Sequence, residues 1–213
     1  GMGFCLFNNI AVAAAHALEE LGLERVLIFD WDVHHGNGTQ AAFYDDPRVL
    51  FFSTHMRGHY PGTGLAGEVG TGDGTGYTAN VPLGMGASDG AVALVFESLL
   101  APLMRAYRPQ IVLVSAGYDG QEGDPLGGLR LSGQAFQWMA ARLRELCLEV
   151  GAAGPLCFLE GGYVPSRLAA SIVATLTGLR GETPQFEHPV SAAERADVGE
   201  ALDRIRPNWR GVL

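Results

Sequence analysis

The chain has 213 residues, 47% hydrophobic and 17% charged, enough apolar material for one sizeable core and too much for a disordered tail. Its net charge of -9 and lack of a basic stripe argue against a nucleic-acid grip, while an acidic surface would tolerate a cationic substrate. No apolar run reaches the length of a membrane span and no charged-then-apolar signal segment opens the chain. Cys5, Cys147 and Cys157 form no CxxC pair and lie among apolar residues, which reads as buried free thiols in a reducing cytoplasm.

In chain order, residues 8–22 predict a helix with an asparagine cap, apolar positions at Ile10, Ala14, Ala17, Leu18 and Leu21, and Gly22 as the stop. "RVLIFD" follows as a strand buried on both faces. A short helix is predicted over residues 38–44, then a second buried strand in "RVLFFST". Residues 57–76 form a long glycine-rich loop, a length that in compact domains is usually functional or mobile.

"YTANVPL" predicts a short strand. Residues 88–107 predict one helix with Val92, Phe96, Leu99, Leu103 and Tyr107 on a single face. "QIVLVSAGYD" is a third buried strand, residues 132–150 a helix, and "PLCFLEGGY" a fourth buried strand. Residues 165–179, opened by a proline, and 191–205 are the last helices. Strands separated by helices imply a three-layer α/β/α domain with a mostly parallel sheet, and nothing divides residues 1–213 into more than one domain.

Parallel sheets place their sites beyond the carboxyl ends of the strands. Those ends carry Asp30, Asp32, His34 and His35; Ser53, Thr54 and His55; Tyr118 and Asp119; and Glu160, Gly161, Gly162 and Tyr163. Asp32 and His34 stand two residues apart and face the same side. With Asp119 from another strand they would make an open metal site with room for water. Asp30 lies one pair deeper and suits an orienting role. Taken singly, His55 and Asp124 read as solvated or capping groups, and His16 and His188 as ordinary surface or packing residues. Three ionisable groups together beside apolar strands are expensive unless they pair or bind a cation. Tyr163, after two glycines, could donate to a developing oxyanion or simply pack.

"GFCLFNN", "DWDVHHGNGTQ", "YPGTG", "SAGYDGQEGDPLGG" and "LEGGY", in that order from Gly3 to about Leu179, resemble the zinc-dependent histone deacetylase and acetylpolyamine amidohydrolase family. The resemblance implies an arginase-like α/β fold and hydrolysis of an acyl amide. It implies zinc on Asp32, His34 and Asp119, and catalytic roles for Tyr163, Asp30 and Asn37. It places Gly3, Phe4, Tyr60, Leu126 and Gly161 along a narrow acyl channel, and potassium near Asp30, Asp32, His34, Ser53 and Thr54. The substrate class it implies is a small acylated amine or an acetyl-lysine peptide, with neither nucleic acid nor membrane as partner.

The family's histidine pair, which precedes "GFC" by a few residues, is not found before Gly1. The chain therefore reads as the carboxyl-terminal body of such an enzyme, weakly active or inactive by itself. General acid–base catalysis is worth about 10²–10⁴ in rate. The missing flanking strands are expected to leave a sheet edge open to self-association. Two alternatives stand beside this reading: a non-catalytic domain that binds metal and acylated ligands, and another arginase-fold metallohydrolase holding two manganese ions.

Overall fold

The computed structural model describes residues 1–186 and 188–213. Five parallel strands form one sheet in the order β3-β2-β1-β4-β5: β1 Val26–Asp30, β2 Val49–Met56, β3 Thr78–Leu83, β4 Ile111–Ala116 and β5 Ala153–Leu159. Strand β1 takes the centre, where neighbours on both edges and helices on both faces leave every one of its residues buried. Register aligns Asp30 with Ser53 of β2 on one side and Ser115 of β4 on the other. Three polar side chains thus reach the carboxyl edge of the sheet together.

Alternation along β1 divides the core in two. Val26 and Ile28 face α1 (Asn9–Glu19) and pack with Ile10, Ala14, Val49, Phe51 and Leu113. Leu27 and Phe29 face the other way, into the larger core built with α3 (Asp89–Val95), α4 (Ala101–Tyr107) and α5 (Gly133–Val150). The caps are local and sequence-borne. Asn8 Oδ1 accepts from the Ala11 N–H at 3.0 Å. Its amide also donates to Thr39 of α2 (Asn37–Ala42) at 2.9 Å, which ties α1 to the segment that follows β1. Helix α6 (Pro165–Leu179) lies against α5. Helix α7 (Ala192–Ile205) opens on a capping box of Ser191 and Glu194, and Glu194 also accepts from Ser88.

Four expectations are corrected. The helix over residues 88–107 is interrupted at Phe96–Leu100 by a turn of π-helix. Pro102 just beyond it has no N–H to continue the ladder, and the turn before it relaxes to the wider pattern. By length and composition the segment Asp89–Tyr107 could cross a membrane, contrary to the first reading, yet 61% of it is buried inside the fold, as befits a core helix. The strand at residues 153–159 is an exposed edge, with Leu156 51% and Leu159 61% exposed, because among the described residues no further strand pairs with it beyond β4. For the same reason Cys157 is exposed, as is Cys5 near the amino end, so only Cys147 is a buried thiol.

The glycine-rich segment is held rather than loose. The Glu68 carboxylate accepts from the N–H groups of Gly64 (3.2 Å) and Leu65 (3.0 Å) and from the Gln40 amide (2.6 Å). Gly64, at φ +83°, passes so close over the two buried imidazoles that an added Cβ would lie 2.5 Å from His35 and 2.6 Å from His55.

Candidate metal centre

Beyond the end of β1 the chain turns on its own carboxylates. The Asp32 N–H donates to Asp30 Oδ1 at 3.1 Å, and the His34 N–H to Asp32 Oδ1 at 2.8 Å. These short turns aim Asp32 and His34 to one side. Asp119 arrives from the loop after the adjacent β4, its Oδ1 accepting from the Val33 N–H at 3.0 Å. His34 Nδ1 then stands 3.0 Å from Asp32 Oδ1 and 3.3 Å from Asp119 Oδ2. One ligand atom from each of the three residues lies within 4.8 Å of the others, which is the spacing of a metal site.

Two further observations fit a cation there. Asp119 is fully buried, and among the described residues the only group facing its Oδ2 is the His34 ring nitrogen at 3.3 Å, so its charge needs either a protonated His34 or a bound cation. The backbone around it is pared to glycine. A Cβ on Gly161 would strike Asp119 Oδ2 and sit 3.0 Å from Asp32 Oδ2, and one on Gly117 would strike Asp32 Oδ2. The Gly161 N–H meanwhile donates to Asp32 Oδ2 at 3.3 Å.

Protonation follows from this crowding of acids. Burial opposes charge on His34, but hydrogen bonds to Asp119 and Asp32 and their negative charge prevail, and its pKa is pushed up to about 10. Burial raises Asp32, and it raises Asp30 well above the usual carboxylate range, with Glu160 and Asp32 adding to the latter. Glu160, at the end of β5, is pushed up to about 7 by burial and then by Asp32.

A ligand imidazole must be neutral, so a divalent cation has to displace the His34 proton. The sign is definite: cation affinity should fall as pH drops below about 10. In the metal-free protein, His34's contribution to stability is fully present below its ordinary value of 6.5 and lost as pH rises through about 10. Calorimetric titration of a divalent cation at pH 7 in two buffers of different ionisation enthalpy should report at least one proton released per ion. Release of none would contradict the protonated resting state.

The other predicted site residues are distributed as follows. Tyr163 is 39% exposed, its ring meeting Phe4 edge-on at 6.2 Å. Its pKa is pushed up to about 12 by burial and by the nearby Asp119 and Asp32 carboxylates. Tyr60 meets the His34 ring edge-on at 6.1 Å, and its hydroxyl accepts from the Gly3 N–H at 3.3 Å. The Leu126 N–H and the Tyr163 N–H both donate to Asp124, at 3.0 and 2.7 Å, so Asp124 ties two loops together and caps no helix. Phe4, Tyr60, Leu126 and Tyr163 are all exposed, Phe4 by 86%, with Tyr60 lying against the His34 ring and Phe4 against Tyr163.

Asn37 opens α2, its amide donating to Met2 Sδ at 3.4 Å. Ser53 is engaged with His55 at 2.9 Å, and the Thr54 hydroxyl approaches the Asp30 carbonyl at 3.5 Å. His35 turns away from the cluster to Thr63 (2.8 Å) and Gln40 (2.9 Å), as its position one residue after His34 suggested. Glu160 and His59 were given no role in the sequence reading. Glu160 ends its strand as Asp30 ends β1, and that shared position was the available signal. His59 carries no signal in the sequence pattern.

The model of the histone deacetylase domain family matches residues 1–179. The chain belongs to that family. It is 45% identical over 210 residues to histone deacetylase 10, chloroplastic, of Oryza sativa subsp. japonica, covering 96% of this chain and 47% of that protein. It is 41% identical to the polyamine deacetylase HDAC10 of Homo sapiens, covering 99% of this chain and 32% of that one. A solved structure, the HDA15 HD domain, superposes with a TM-score of 0.90 at 40% identity, over 100% of this chain and 59% of that one. The chain spans about half the length, or less, of these curated relatives.

Proposed function

We propose that this chain forms the metal-bearing body of a zinc-dependent amide hydrolase that removes acetyl groups from acetylated lysine or polyamine amines. The convergence of Asp32, His34 and the fully buried Asp119, with one ligand atom from each within 4.8 Å of the others, is the observation that carries the reading. Asp32, His34 and Asp119 would hold the ion. A divalent zinc there supplies polarisation of an amide carbonyl and a lowered pKa for a bound water.

The chain's own residues do the rest. Tyr163, whose phenol is protonated at neutral pH and pushed up further by burial and by Asp119 and Asp32, offers a hydroxyl donor suited to a carbonyl oxygen gaining negative charge. Phe4, Tyr60 and Leu126 offer exposed apolar surface on which an acyl chain and its methylenes would lie. Glu160, near neutrality, holds a proton beside Asp30 on the side where β5 is bare. The potassium site expected around Asp30, Asp32, His34, Ser53 and Thr54 belongs to the same reading, supported by the approach of Thr54 to the Asp30 carbonyl. The exposed edge of β5 supports self-association of the chain.

The test compares this 213-residue chain with a longer protein that includes the additional length of its relatives. Both are assayed for bound zinc, for hydrolysis of a fluorogenic acetyl-lysine peptide and for hydrolysis of an N-acetylpolyamine. Each should bind one zinc ion, and the longer protein should turn over faster by about 10²–10⁴, the value of an added general base. A longer protein that binds zinc and cleaves neither substrate would refute the hydrolase reading.

A further inference from the structure

Histidine ligands to metals almost always donate their second ring N–H to a carboxylate, carbonyl or water, which locks the ring's orientation. His34 is different. Its Nδ1 faces Asp32 and Asp119, but among the described residues Nε2 makes no hydrogen bond. The side chain is 20% exposed, so close packing on all sides does not lock it either. What the ring does have is a second imidazole laid against its face. The His59 ring stacks on it with centroids 5.0 Å apart and planes inclined by 21°.

His59 is itself well anchored. Its backbone closes a turn, its N–H donating to the Met56 carbonyl at 3.2 Å and its carbonyl accepting from the Gly62 N–H at 2.7 Å. Its Nε2 lies 2.8 Å from the Leu126 carbonyl, an atom that can only accept, so Nε2 carries the proton. Leu126 is held by Asp124, which also holds the Tyr163 N–H. One ring therefore touches the metal ligand from the loop after β1 and is pinned to the loop that carries Asp119. Through Asp124, the second of these loops reaches the one that carries Tyr163.

We propose that His59 is a positioning residue of the metal centre: its stacked ring, fixed by the Leu126 carbonyl, sets the orientation of the His34 imidazole, whose Nε2 no carboxylate or carbonyl among the described residues holds. This rests on the metal-site reading above and goes beyond it. The stack is the orienting contact, and the bond to Leu126 only aims it. Keeping a ring at position 59 should therefore preserve the site better than keeping a donor.

Cobalt(II) titrated into the chelator-stripped chain reads both affinity and the d–d absorption of the ion's ligand field. His59→Gln retains a donor for the Leu126 carbonyl but has no ring. It should bind cobalt about tenfold more weakly, the lower end of the effect expected for a ligand-orienting partner, with an altered d–d band. His59→Phe retains the ring without the donor and should stay within about threefold of wild type with a near-native band. His59 is half-buried on a surface turn, so both variants should fold. A His59→Gln titration that matches wild type overturns the proposal, as does a His59→Phe variant as weak as His59→Gln. Failure of the wild-type chain to bind cobalt overturns the metal centre and the role of His59 together, and is thereby distinguished from the other two results.

Discussion

Asp119→Asn should lower divalent-cation affinity by about 10²–10³-fold, the share of one ligand in the roughly 10–16 kcal/mol that a four-ligand zinc site provides. The substitution is nearly isosteric. An asparagine carbonyl can still accept from the Val33 N–H. What is lost is the negative charge at Oδ2, which faces the His34 ring nitrogen at 3.3 Å. Without metal the variant should therefore unfold somewhat earlier than wild type, since the protonated His34 loses one of its two carboxylate partners. Metal-dependent protection against thermal unfolding should vanish with the charge. Equal cation affinity in the variant and wild type would remove Asp119 from the centre, and with it the convergence of the β1 and β4 ends on which the site is built.

Phe29→Ala should destabilise the fold by about 3–5 kcal/mol, as expected for truncating a buried aromatic. Phe29 is fully buried in the central strand. It meets Trp31 at 5.6 Å, Phe52 at 5.8 Å and Phe96 at 5.4 Å, each edge to face, so one ring joins β1 to β2 and to the π turn after α3. No single neighbour can close such a cavity by itself. For a chain of this size the loss corresponds to a melting temperature lower by about 6–20 °C. Urea or thermal unfolding in the presence of a chelator separates this from any effect on metal binding. A loss under about 1 kcal/mol would mean the core repacks, contrary to the crowded environment of the ring.

Much of the site was legible in the sequence because its ligand-type residues follow the ends of apolar runs, Asp32 and His34 after one and Asp119 after another. Strand alternation was the wrong reason for their common direction, since the chain leaves the strand after Asp30 and it is the turns on the Asp30 and Asp32 carboxylates that bring Asp32 and His34 to one side. The role of the glycines was legible only in part. Gly161 follows a strand, but that it must lack a Cβ to clear Asp119 is a fact about a residue more than forty positions away in the chain.

The misread strand shows the boundary most clearly. "PLCFLEGGY" has the composition of a buried strand, and composition records what a segment tolerates, not what lies beside it. Whether β5 is central or an edge depends on what other backbone pairs with it, and among the described residues only β4 does. Burial of Cys157 was misjudged for the same reason.

By itself, then, the amino-acid order determined the alternation of strands and helices, the parallel sheet and the identity of the three clustered ligand-type side chains, because these follow from periodicities of two and 3.6 residues and from strand-end placement. Only the tertiary structure decided that β5 is bare and that Glu160 holds its proton near neutrality. It alone decided that His59 lies flat against His34. Each of these depends on through-space neighbours contributed by separate loops, and no local pattern of residues encodes a distance between them.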